Sequence, residues 1–111
     1  FPFREFPEGI ELEFFEGDSS KNTVYSDYAV QYLETGLIDL RTNVKIVTSD
    51  STILTGPQLY WDQQQEWLFT DYSYNLQLPN GARNQGEGFD SDQKFSTFNS
   101  RSNTGIQYIQ D

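Results

Sequence analysis

The 111-residue sequence contains no cysteine, no histidine and no methionine. Without cysteine there is no disulfide framework and no thiol nucleophile. Without histidine as well, most general-base, nucleophilic and zinc constellations are excluded. Basic residues are scarce, with 7 Lys and Arg against 17 Asp and Glu and a net charge of −10. Scattered cations make no patch for a phosphate backbone or an anionic membrane surface, which argues against both partners. The acid excess itself reads as a solubility feature. No apolar run reaches the length of a membrane span. The missing Met leads us to expect an N-terminal segment upstream of Phe1, where any signal peptide or anchor would lie.

What the chain does have is aromatic residues, at 16% of a length that fits one domain. Period-two alternation dominates. Ile10, Leu12 and Phe14 alternate with Glu11 and Glu13; Val44 and Ile46 flank Lys45; Leu76 and Leu78 flank Gln77. Such runs predict half-buried strands, and Tyr25–Leu37 fits strand better than helix. Turn signals fall at Gly17–Asp18, Thr35–Gly36, Ser49–Asp50, Pro79–Asn80–Gly81 and Asn103–Thr104–Gly105. The expected fold class is all-β.

The chain also repeats. At an offset of 29, Val24 falls on Ile53, Val30 on Leu59, Tyr32 on Trp61, Ile38 on Trp67 and Leu40 on Phe69. At an offset of 30, a degenerate third copy places Leu59 on Phe89 and Asp62 on Asp92, with Phe69 on Phe98 after one deletion. Each unit reads as two strands and a turn. In "LYWDQQQEWLF" (59–69) the polar tract is the exposed connection, and Trp61, Trp67 and Phe69 are expected to point to one interior. Such units must stack to bury their apolar faces, which predicts a jelly roll, barrel or solenoid.

Candidate chemistry is sparse. Asp90 and Asp92 supply oxygen ligands two residues apart, but the rest of a calcium loop is missing. Glu87 lies between two glycines, yet nothing marks a second catalytic carboxylate. No catalytic residue, metal or cofactor is therefore assigned, and the protein is not read as an enzyme. The rings Tyr28, Tyr32, Tyr60, Trp61, Trp67, Phe69, Tyr72 and Tyr74 either pack in a core or stack on sugars, peptides or acyl chains. A structural or adhesive β-repeat and a carbohydrate-binding module using Tyr60, Tyr72 and Tyr74 both stay open.

The stretches "PQLYWDQQQEWLFTD" (57–71), "PNGARNQGEGFDSDQKFSTF" (79–98) and "TGIQYI" (104–109) resemble the LptC family of lipopolysaccharide-export proteins, in its Bacteroidetes-type form. "FREFPEGIELEFFEGD" (3–18) and "YAVQYLETGLIDLRTNV" (28–44) resemble it too, so the likeness covers nearly the whole chain. It implies a twisted, incompletely closed antiparallel β-jelly roll, held in the periplasm by an N-terminal inner-membrane anchor. Such a protein accepts lipopolysaccharide from an inner-membrane ABC exporter and passes it to an LptA-like jelly roll. The lipid A acyl chains would then lie on the inward residues inferred from alternation. These are Leu12, Phe14, Val30, Tyr32, Ile38, Leu40, Val44, Ile46, Leu59, Trp61, Trp67, Phe69, Leu76, Leu78 and Phe89. Lipid A phosphates would stay at the rim, near Arg41, Lys45 or Arg83. The C-terminal edge Gly105, Ile106, Gln107, Tyr108 and Ile109 would pair with the next protein, or with a second copy, by strand addition.

Overall fold

Alternating apolar and polar residues make strands, and strands must find backbone partners. In a computed structural model that describes residues 2–16, 20–93, 95 and 97–104, nine antiparallel strands do so in one sheet. They are β1 (Phe3–Phe6), β2 (Ile10–Glu16), β3 (Ser20–Ser26), β4 (Tyr28–Tyr32), β5 (Leu37–Val47), β6 (Ile53–Asp62), β7 (Trp67–Gln77), β8 (Arg83–Asp92) and β9 (Phe98–Thr104). The path runs β1-β4-β5-β6-β7-β8-β9, and β2 joins β5 through β3. Among the described residues β1 and β9 do not pair, so the sheet is not closed into a barrel. This is the all-β, incompletely closed architecture expected.

Every long strand is interrupted near its middle. The β5–β6 register shifts between Arg41 and Val44, the β6–β7 register between Thr55 and Tyr60, and the β7–β8 register between Thr70 and Ser73. Thr42 and Asn43 take φ of 68° and 53° there, and Gly88 takes 79°. Bulges bend a sheet and sharpen its twist. On the older side of the sheet the bend becomes a break: β3 stops at Ser26 and β4 starts at Tyr28, while β2 and β1 separate around Gly9. A methyl group at Gly9 would meet the Ser26 carbonyl at 2.5 Å, so this crossing needs glycine. Each strand thus has an upper and a lower half.

The true repeat is 30 residues. Leu54 pairs with Leu76 just as Val24 pairs with Ile46. The two lower turns match as well. The Thr48 amide donates to the Thr52 carbonyl at 2.9 Å and the Leu78 amide to Ala82 at 2.9 Å. Ser51 and Gly81 both sit at positive φ, 73° and 88°. Asp50 and Asn80 each accept the backbone N–H two residues on, from Thr52 and Ala82. The polar turn residues therefore satisfy the backbone where the ladder ends. Gly17–Asp18 lies outside the described residues, and Asn103–Thr104 continues β9, paired with Gly86 and Gln85.

Residues paired across strands share a face. The inner face of the upper half carries the row Gln31, Ile38, Trp61, Leu68, Ser91 and Phe98. The lower half carries Leu12, Val24, Ile46, Leu54, Leu76 and Asn84. The apolar members of both rows join one cluster, with Val24, Leu40, Ile46 and Leu68 at 0% exposure. A single flat sheet cannot bury both ends of one face, so the halves fold toward each other along the line of bulges. Each fully buried Leu or Ile contributes roughly 1.5–3 kcal/mol relative to exposure.

Candidate functional site

The packed apolar seam between the halves is where the sequence placed its inward residues. Of the fifteen residues expected there, Ile38, Leu40, Val44, Ile46, Leu59, Trp61, Leu76 and Phe89 are buried on the inner face, and Leu12, Phe14 and Leu78 pack against them. The other four are corrections. Val30 pairs with Asp39, Tyr32 with Phe3, Phe69 with Tyr60 and Trp67 with Asp62, which puts all four on the outer face. For Trp67 and Phe69 the cause is the repeat length. An offset of 29 aligns Ile38 with Trp67, whereas the 30-residue spacing aligns it with Leu68, which is wholly buried opposite Trp61. Phe98 lies on the inner face opposite Ser91, so it matches Leu68 rather than Phe69.

The halves meet through side chains. Phe14 of lower β2 packs on Trp61 of upper β6 with ring centroids 5.0 Å apart. Tyr74, just below the bend, meets the edges of Phe89 and Phe98 at 5.2 and 5.3 Å. Among the described residues, no backbone pairing joins an upper half to a lower half. The two halves are thus held together by side chains such as these rings, not by backbone hydrogen bonds. The Trp61 indole N–H donates to the Gln93 side-chain oxygen at 2.7 Å, which satisfies a buried donor at the trough's upper end. Tyr74, left open between core packing and ligand stacking, is 4% exposed and shares hydrogen bonds with Asn84 and Ser100. Burial pushes its phenol pKa up, and the Ser100 contact opposes this in part.

The outer face of the upper half is also structured. Asp39 is 2% exposed although it faces outward. Its oxygens accept from Gln58 Nε2 at 2.8 Å and Arg41 Nε at 3.0 Å, with Arg41 Nη2 at 2.8 Å. Gln58 in turn accepts from the Thr70 hydroxyl at 2.7 Å. The hydrogen bond and charge of Asp39 hold the Arg41 pKa above its ordinary value. Tyr60 stacks on Phe69 at 5.1 Å, and burial followed by the Asp39 charge raises its phenol pKa. The network was missed because "LIDLR" reads as ordinary alternation. Asp39 does alternate outward, but Arg41, Gln58 and Tyr60 cover it.

The remaining candidates stay apart from the trough. Asp90 and Asp92 are outer-face residues opposite Phe69 and Trp67. Asp92 accepts the Thr97 amide at 3.0 Å, and Asp90 faces Asn99 at 3.5 Å. Among the described residues no group of three acidic, His or Cys side chains is placed to hold a metal ion. Glu87 is exposed at the β8 bend. Lys45 and Arg83 are exposed, and Arg41 is engaged by Asp39. The edge Gly105, Ile106, Gln107, Tyr108 and Ile109 lies outside the described residues. Comparison of the chain with family models, curated proteins and solved structures found no match.

Proposed function

We propose that the protein is a non-enzymatic carrier of lipid acyl chains, a periplasmic component of the lipopolysaccharide-export type. It takes lipopolysaccharide from an inner-membrane ABC exporter and hands it to an LptA-like jelly roll. One observation carries this reading: an apolar inner face spans two sheet halves that are held shut by ring contacts such as Phe14 on Trp61. Ring contacts of this kind are worth roughly 0.5–1.5 kcal/mol beyond the area they bury. An entering acyl chain gains about 0.8 kcal/mol per buried CH₂, so a few methylenes offset their loss without catalysis. The polar, phosphorylated headgroup stays at the solvent rim, away from the acidic surface. The N-terminal anchor and the export bridge belong to this proposal, as does docking along the β9 side. The described part of that edge, Phe98–Thr104, carries one charge, Arg101, whereas β2 presents Glu11 and Glu13. Edge acids discourage strand pairing.

A photo-crosslinking residue in place of Trp61 or Leu76 tests the reading in cells. Capture of lipopolysaccharide at these inner positions and not at Tyr25, on the exposed surface, is the expected result. A folded, expressed variant that never captures it overturns the carrier role.

A second reading is favoured by the completeness of the burial. With Leu40, Leu59, Leu68 and Phe89 at 0–1% exposure, the same sheet serves as a structural β-repeat with a filled core. Lipid-independent protection of Trp61 throughout export would support that alternative.

A further inference from the structure

The bend that closes the inner trough opens a groove on the other side of the sheet. Where β5, β6 and β7 bulge, a cleft of about 400 Å³ is lined by Asp39, Arg41, Gln58, Tyr60 and Tyr72. It shares Thr42 and Pro57 with a second cleft, of about 540 Å³, that continues past Asn43 and Lys45. Bulges re-aim side chains, and Thr42 and Asn43 hold left-handed backbone at this point, at φ 68° and 53°.

Beneath the groove runs one continuous hydrogen-bond chain. The Tyr72 amide donates to Thr70 Oγ1 at 3.1 Å, and that hydroxyl donates to Gln58 Oε1. Gln58 Nε2 then donates to Asp39, which also accepts from Arg41. Every polar group in this chain is fixed before any ligand arrives, so little ordering remains to be done on binding. The walls are aromatic. Tyr72 is 59% exposed, and Tyr60 is braced from behind by its stack on Phe69.

Charge selects the ligand class. The Arg41 guanidinium is already paired with Asp39, and the chain as a whole carries a net charge of −10, so an anion gains nothing here. A cation meets the exposed Arg41. A purely apolar ligand covers the exposed Arg41 guanidinium and returns no hydrogen bonds to it. What remains is a neutral ring with apolar C–H faces and a rim of hydroxyls. From this geometry we propose that the outer groove at the β5–β6–β7 bend binds a neutral oligosaccharide, one sugar ring lying on Tyr72 and Tyr60 with its hydroxyls on the exposed Arg41, which the buried Asp39 holds in place. The adjoining cleft past Thr42 extends the groove for a neighbouring sugar. This assignment does not rest on the lipid-carrier reading, because the groove and the trough lie on opposite faces of the sheet.

Amide NMR of the labelled protein, titrated separately with cellohexaose, maltohexaose and laminarihexaose at millimolar concentration, tests it. A polygalacturonate fragment serves as the charged control. At least one neutral hexasaccharide shifts the amides of Thr42, Gln58, Tyr60 and Tyr72, and Tyr72→Ala weakens that binding about tenfold or more. Asp39→Asn, which keeps the shape and removes the charge, weakens it as well, while the amides of Leu54 and Leu76 stay unmoved in both variants. Three outcomes overturn the proposal. They are no shift with any neutral sugar, shifts only with the charged control, and shifts that persist unchanged in Tyr72→Ala.

Discussion

Trp61 and Trp67 stand on adjacent strands, joined by one polar turn, yet they live in different environments. Trp61 is 3% exposed, packed on Phe14 and hydrogen-bonded to Gln93. Trp67 is half-buried on the outer face, opposite Asp62 and Asp92. The difference comes from parity alone. The inner face is a dry seam between two sheet halves, and the outer face is a wet surface where rings and polar groups mix. The carrier proposal rests on the first face and the sugar proposal on the second.

The largest expected effect separates Leu68 from its neighbour Phe69. Leu68→Ala removes a wholly buried side chain opposite Trp61 and costs about 2–5 kcal/mol of stability in denaturant titration. Phe69→Ala, on the half-buried outer face, costs less despite deleting more atoms. Equal losses would mean that the faces are not distinct. Next comes Asp39→Ala, which strands Gln58 Nε2 and leaves Arg41 without its carboxylate. Leaving buried polar groups unpaired costs about 1–3 kcal/mol, and Asp39→Asn is expected to recover part of it. A loss no greater than that of an exposed acid such as Glu87→Ala would show that the outer network is loose.

These contrasts also mark what could be read from the sequence. The lower strands were more legible because charged residues mark the outward parity, as Lys45 does between Val44 and Ile46 and Glu11 and Glu13 do around Leu12. Strand β7, "WLFTDYSYNLQ", is apolar on both parities: Trp67 and Phe69 on one, Leu68, Tyr74 and Leu76 on the other. Alternation cannot set its phase, and the register with Trp61 does. Strand β4 poses the same problem, since small Ala29 takes the inner position and Val30 and Tyr32 go outward. The fold line was hidden because bulges cost one residue of register and leave no signature beyond Gly88 and Pro57. The turns were plain, since their polar residues serve the local backbone. The contact of Phe14 with Trp61 joins strands far apart in the sheet, and no short-range pattern carries it.

Two smaller effects sharpen the comparison. Acrylamide should quench the Trp61→Phe variant, which retains Trp67, more steeply than the Trp67→Phe variant, which retains Trp61. Similar slopes would contradict a closed trough. The weakest effect is at a lower turn. The Thr48 hydroxyl, opposed by slight burial and helped by the Thr52 amide, holds the Asp50 carboxyl below the ordinary aspartate range. A depressed carboxyl stabilises the fold above its unfolded pKa, and that contribution fades as the pH falls through the folded value. Asp50→Asn should therefore cost under about 1 kcal/mol at neutral pH and nothing in strong acid. A cost that persists unchanged in acid would assign it to shape rather than charge.

The central claim is that hydrocarbon enters between the two sheet halves, and brominated acyl chains test it most directly. In the Trp67→Phe variant, lipid A with brominated chains should quench the fluorescence of the remaining Trp61. In the Trp61→Phe variant the same lipid should leave Trp67 bright. Quenching of Trp67 with Trp61 untouched would place the lipid on the outer surface and contradict the account.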